Sequence, residues 1–138
     1  MSTNWVNDIH EMHAKFGVHE WLEKNENNPE IMKKLLAFRL RFLEEELTET
    51  NLALESSDPE EIVDGLIDLC VVAIGTLDLF DIDSYKAWDE ILKANMAKKA
   101  GIKPGRPNPL GLPDLMKPEG WQGPSHDGNH GTLTHTLK

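Results

Sequence analysis

Between Glu44 and Asp68 the chain places carboxylates where a helix would carry hydrocarbon, and that conflict restricts the available folds more than any other feature of its 138 residues. Glu45-Glu46-Leu47-Thr48-Glu49 is followed about a dozen residues later by Glu61-Ile62-Val63-Asp64. Wound at about 100° per residue, Glu46 and Glu49 fall inside the apolar arc of Met32, Leu35, Leu36, Phe42, Leu43 and Leu47, so both are expected to point inward. Glu44 winds to the outer face and is assigned no chemistry. On the next helix Glu61, Asp64 and Asp68 share one stripe roughly 60° wide, and Leu66, Ile67, Leu69, Cys70, Val71 and Val72 cover nearly every other direction. Acids are rarely buried without compensation. Two helices that both turn acids toward apolar neighbours are expected to face each other and enclose a divalent cation, because hard ions such as Mg²⁺ take carboxylate oxygens.

The remaining segments arrange themselves around that pair. Trp5, Val6, Ile9, Met12 and Phe16 recur at helical steps and predict a short first helix capped by Gly17. His10 and His13 lie beside its stripe; a half-buried surface histidine is the simpler reading and ligand contact the alternative, and the expected metal cage requires neither. His19, Glu20, Trp21 and Leu22 run into an Asn-rich loop over 24–28. Asn28-Pro29-Glu30 is a helix start, with Asn as N-cap and Pro at the first helical position. The second helix carries Ile31 through Leu54 without Gly or Pro, about 25 residues and nearly 40 Å at 1.5 Å per residue. Arg39 falls on its inward arc, either as a salt-bridge partner of a cluster acid or as a contact to substrate, since guanidinium suits bidentate phosphate binding.

Ser57-Asp58-Pro59-Glu60 starts the third helix. First-turn acids suit the helix dipole, which accounts for Glu60 and could account for Glu61, but not for Asp64 and Asp68 further in. Gly65 and Gly75 would permit close helix packing. After a turn at Asp81 to Ser84, the residues Ala87, Trp88, Ile91, Leu92, Asn95 and Met96 predict a fourth helix ending at Gly101. Asn95 lies on its apolar side and Lys98 at the edge of that face, where both could reach the acids; a solvated lysine is the ordinary alternative. The division expected is an all-α, four-helix bundle-like domain over residues 1–101 and a Pro/Gly-rich irregular tail over 102–138. The tail sets Lys103, Arg106, Lys117 and Lys138 against Asp114, Glu119 and Asp127, so it could fold over an acidic site as a lid. His126, His130 and His135 read as a disordered terminus rather than a metal site.

A net charge of −10 argues against a nucleic-acid partner, although a bound cation would reverse the sign locally and admit a phosphate-bearing small molecule. Cys70 is the single cysteine, expected as a core thiol. With no signal peptide and no apolar run longer than Leu69 to Gly75, the chain is expected to be soluble and cytoplasmic, without membrane contact. The third helix has more apolar directions than three small neighbours can cover, which predicts a homodimer or tetramer. Glu-x-x-His di-iron pairs, zinc spacing, a cysteine nucleophile and a Walker loop are all absent from the sequence.

Glu45-Glu46-x-x-Glu49 followed by Glu61-x-x-Asp64 in an all-helical chain resembles the MazG-like branch of the all-α nucleoside triphosphate pyrophosphohydrolases, relatives of the helical dUTPases, dCTP pyrophosphatases and phosphoribosyl-ATP pyrophosphohydrolases. Asn95-Met96-Ala97-Lys98 resembles the downstream Asn and Lys that meet substrate phosphates in that family. Lys117-Pro118-Glu119-Gly120-Trp121 with Pro124 resembles the C-terminal segment of compact bacterial and phage members. The resemblance spans residues 28–124 and implies that Glu46, Glu49, Glu61 and Asp64 hold Mg²⁺, with Mn²⁺ able to substitute. Asp68 would be an additional ligand or stand behind the ligands, and Glu45 would be the base that deprotonates water. Attack on the α-phosphorus of a nucleoside triphosphate would then give the monophosphate and pyrophosphate. Asn95, Lys98, Arg39 and Lys117, or Arg106, would contact the substrate, and Trp5, His13, Phe16 and Trp21 are candidates to hold the base. A purine deoxynucleotide or (d)GTP is the expected substrate, dUTP or dCTP the alternative. The expected location becomes the host cytoplasm if the chain is phage-encoded. In a different class stands an acidic helical adaptor, which would turn Glu46 and Asp64 outward.

Overall fold

Local capping chemistry starts the two longest helices. The Asn28 side chain accepts a hydrogen bond from the Ile31 N–H, with Pro29 in the first turn, and Asp58 does the same for the Glu61 N–H ahead of Pro59. Each cap satisfies an N–H that the first turn leaves without a partner. The computed structural model describes residues 1–106 and 109–138 and contains α1 (Trp5–Lys15), α2 (Val18–Asn25), α3 (Pro29–Glu55), α4 (Pro59–Leu79), α5 (Ser84–Met96), β1 (Lys99–Gly101), β2 (Asp114–Met116) and α6 (Leu133–Thr136). The all-α architecture expected from the periodicity is present, apart from one small ribbon.

The elements divide into two compact units, residues 1–84 with 130–138 and residues 85–129. In the first, α3 and α4 form an antiparallel pair against which α1 packs. Gly65 sets their separation: a Cβ there would lie 2.1 Å from Thr50 Oγ1 and 3.1 Å from Thr50 Cβ. The core consists of Leu22, Met32, Leu79 and Phe80, with Val18, Leu35, Leu36, Ile82 and Leu133 around it. Met32 and Phe80 are fully buried, each stabilising the fold by about 1.5–3 kcal/mol through burial alone.

Four local expectations change. Residues 18–25 form a helix of their own, which Gly17 makes possible by taking φ of 79° between α1 and α2; eight residues are too few for periodicity to declare themselves. The fourth helix ends at Met96 rather than Gly101, since residues 99–101 become β1 and pair antiparallel with β2, Lys99 opposite Met116 and Gly101 opposite Asp114. Cys70 is half-buried rather than a core thiol. The last residues are not a disordered terminus: Thr136 is fully buried, Leu133 packs on the core, and the Thr132 N–H donates to the Phe80 carbonyl at 2.8 Å. Gly131 makes this return possible, because a Cβ there would meet the Phe80 carbonyl oxygen at 1.9 Å.

Candidate active site

The close approach at Gly65 and Thr50 puts Glu46 on α3 within electrostatic reach of Asp64 and Asp68 on α4, although among the described residues no three of these carboxylates converge as metal ligands do. Thr50 is one turn after Glu46, to whose carbonyl its hydroxyl donates at 2.7 Å; Gly65 lies between Asp64 and Asp68. Glu46 is half-buried. That partial burial, together with repulsion from Asp68, Glu49, Glu45 and Asp64, pushes its carboxyl above the usual carboxylate range. Four acids from the two helices therefore act electrostatically on Glu46. Glu61, also assigned to the set, lies in the first turn of α4.

The inward orientation expected for these acids is not what one chain shows. Glu45, Glu49, Glu61, Asp64 and Asp68 are exposed, and only Glu46 is partly covered. Apolar residues of the same helices, Leu47, Val63, Leu66 and Ile67, are exposed with them. One copy of α3 and α4 supplies too few neighbours for the helical arcs to become a closed interior. Glu45 and Glu49 also line a shallow hollow with Arg41, Glu44 and Thr48.

A second concavity opens among α1, α2, α3 and α4, with about 400 Å³ of space lined by His13, Phe16, Trp21, Phe38 and Arg39. Phe16, Trp21 and Phe38 are substantially exposed there. Arg39 is not paired with a cluster acid, as its salt-bridge reading had it. Its Nε donates to Thr76 Oγ1 and its Nη2 to the Val72 carbonyl, both at 3.0 Å. Gly75 makes room: a Cβ there would sit 2.7 Å from Arg39 Nη2 and 3.3 Å from His13 Cε1. His13 is fixed on its other side by Asp78, Nδ1 to Oδ2 at 2.6 Å. Partial burial alone would raise the Asp78 carboxyl, but bonds from His10, His13 and His19 overcome it and hold the group below its ordinary range. Asp78 and Phe38 carried no sequence signal of a site, since one acid at the end of an apolar helix reads as solvated.

Asn95, Lys98 and Lys117 belong to the other compact unit. Lys98 lies beyond the end of α5, its N–H donating to the Asn95 carbonyl at 3.1 Å, and Asn95 is exposed. The ammonium groups of Lys98 and Lys117 each stand 5.1 Å from the centre of the Trp121 ring. The Trp121 Nε1–H donates to the Ala94 carbonyl at 2.8 Å. Trp121 thus gathers two cations that are distant in sequence, while Arg106 is occupied by Asp114 at 2.6 Å.

Residues 17–95 match the family model for phosphoribosyl-ATP pyrophosphohydrolase. The chain belongs to that family. This phosphoribosyl-ATP pyrophosphohydrolase family member is accordingly an enzyme, a hydrolase of acid anhydrides with nucleotide pyrophosphohydrolase-type activity, and the family is typically dependent on a divalent metal. No curated protein and no solved structure matches the chain. The matched segment contains α3 and α4 with all six acids and ends at Asn95. Among the described residues no helix is long and apolar enough to cross a membrane.

Proposed function

We propose that the chain hydrolyses a nucleoside triphosphate, with a purine deoxynucleotide or (d)GTP as substrate, to the monophosphate and pyrophosphate. The observation that carries this reading is the repulsion that Asp68, Glu49, Glu45 and Asp64 exert on Glu46, which marks an excess of negative oxygen donors around that one side chain. Such a set fits a hard dication. Glu46, Glu49, Glu61 and Asp64 would hold Mg²⁺, or Mn²⁺ in its place, with Asp68 adjoining. Bound there, the ion would neutralise phosphate charge and make the attacking water more acidic. Glu45 would accept the proton of that water as its oxygen attacks the α-phosphorus, breaking the bond to the bridging oxygen and releasing pyrophosphate. Asn95, Lys98 and Lys117 are the phosphate contacts that the resemblance implies. The aromatic hollow of Phe16, Trp21 and Phe38 has the volume of an ordinary ligand pocket, and its π faces suit a nucleobase, with His13 and Arg39 alongside.

Membership of this family supports a second substrate, phosphoribosyl-ATP itself, whose α–β anhydride would be cut by the same chemistry. The test is a panel of nucleoside and deoxynucleoside triphosphates plus phosphoribosyl-ATP, with Mg²⁺ or Mn²⁺ present and every product quantified. Monophosphate and pyrophosphate in equal amounts from a purine deoxynucleotide are expected. A diphosphate with orthophosphate would mean attack at the wrong phosphorus, and turnover confined to phosphoribosyl-ATP, dUTP or dCTP would overturn the substrate assignment.

A further inference from the structure

Three imidazoles converge on one carboxylate at a place remote in chemistry from the acids of α3. His10 and His13 come from α1, His19 from α2 and Asp78 from the last turn of α4, all within the first compact unit. His10 Nδ1 lies 2.7 Å from Asp78 Oδ1, while His13 Nδ1 and His19 Nε2 lie 2.6 and 3.2 Å from Oδ2. The His10 and His19 rings are 4.4 Å apart between centroids. One ligating atom each from His10, His19 and Asp78 falls within 4.8 Å of the others.

We propose that His10, His19 and Asp78 bind a divalent d-block ion of the Zn²⁺ class, at a site distinct from the one proposed for Mg²⁺. Two chemical arguments select that class. Imidazole nitrogen suits zinc and its neighbours, whereas Mg²⁺ takes oxygen, so two nitrogens beside one carboxylate discriminate between the ions. Two histidines and one acid are also a known zinc donor set, which leaves a fourth position for water. Zn²⁺ bonds of 2.0–2.1 Å place tetrahedral ligand atoms about 3.3 Å apart, so the cluster has to contract only modestly around the ion. His10 is the side chain free to do so, being 57 % exposed against 16 % for Asp78. His13 is the positioning residue: its bond to Oδ2 orients the carboxylate, in the manner of the outer hydrogen bonds that set metal ligands. An ion here would tie α1 and α2 to the end of α4 and steady the His13 ring that lines the aromatic hollow.

The test uses full-length protein stripped of metal and titrated separately with Zn²⁺ and with Co²⁺. A tight first equivalent per chain is expected even with millimolar Mg²⁺ present to occupy the acids of α3 and α4, with intense visible absorption in the Co²⁺ form as for four-coordination and a raised melting temperature. His10→Ala should lower affinity by at least tenfold; its exposure makes it the variant expected to fold, which circular dichroism checks. Glu46→Gln and a variant with His126, His130 and His135 each replaced by Ala should keep that first equivalent. Imidazole resonances provide a readout without substitution: Zn²⁺ should shift those of His10 and His19 first. The proposal is overturned if no equivalent binds, if His10→Ala binds undiminished, or if the shifts fall on the C-terminal histidines, and any of these outcomes leaves the pyrophosphohydrolase reading untouched.

Discussion

Glu46 and Asp78 are two carboxyls displaced in opposite directions, and each makes a separate claim about pH. The Glu46 carboxyl is raised by partial burial and by its acidic neighbours, so stability tied to its protonated form is present at low pH and is lost as pH rises through its folded value. In metal-free protein Glu46→Gln should therefore melt higher than the parent at neutral pH, and the advantage should disappear in acid, where the parent is protonated as well. Turnover and metal-dependent stabilisation should both fall. Glu45→Gln should abolish turnover with a smaller effect on metal affinity. If the amide variants melt lower without metal and keep normal turnover, the acids are structural partners rather than a site. Asp78 is lowered by its three histidines, so its contribution is present above the ordinary carboxylate value and lost as pH falls through the folded one. Asp78→Asn should lower the melting temperature at neutral pH and converge with the parent in acid; equal melting across the range would remove the histidine bonds from any stabilising role.

At the scale of helices, the pairing of α3 with α4 depends on Gly65. Replacing glycine by alanine within a helix normally stabilises by about 1 kcal/mol, yet here the new Cβ would meet Thr50 Oγ1, with Thr50 Cβ directly behind it. Rotating the hydroxyl away would break its bond to the Glu46 carbonyl. Overpacking of this kind costs about 1–3 kcal/mol, which outweighs the helical gain. Gly65→Ala should destabilise and reduce turnover by separating the two rows of acids, and Thr50→Ala in the same chain should recover part of both. Additive effects in that double-mutant cycle would show that the contact does not couple the helices. The helix starts were legible in sequence because Asn28-Pro29 and Asp58-Pro59 act on N–H groups two or three residues away. The return of Thr132 to Phe80 joins residues far apart in the chain, so no local pattern announces it.

For the molecule as a whole, the exposed apolar side chains of α3 and α4 matter most. Val63 is 63 % exposed and Leu66 53 %, on the helices that carry the acids, and an uncovered surface of this kind favours association. Sedimentation at micromolar concentration should find a dimer or tetramer; a clean monomer would leave these residues without cover and refute the assembly. Truncation has a different expected outcome at two points. Removing residues 130–138 deletes Leu133 and Thr136 from the first unit's packing. Truncating a fully buried Leu costs about 2–5 kcal/mol; Leu133 is partly buried, which puts its loss toward the low end, so a chain ending at Asn129 should melt below the parent. Deleting residues 102–129 while rejoining the C-terminal segment should instead preserve most of the helical fold and reduce triphosphate turnover. Unchanged kinetics would exclude a role for Lys117 and the lid.

Sequence by itself determined the helices with strong caps, the all-α class, and the set of acids on α3 and α4, because capping and 3.6-residue periodicity are local properties of the chain. It did not determine whether those acids are covered, since a helical arc names a face without naming its neighbour. Only tertiary structure decided that Gly75 admits Arg39 and His13 over α4, that Phe38 joins Phe16 and Trp21 around one hollow, and that Asp78 gathers three histidines from two other helices. Each of those contacts depends on helices brought together by burial of Leu22, Met32, Leu79 and Phe80. Hydrophobic burial has no direction of its own, and the distances among polar groups are set only once the core has packed.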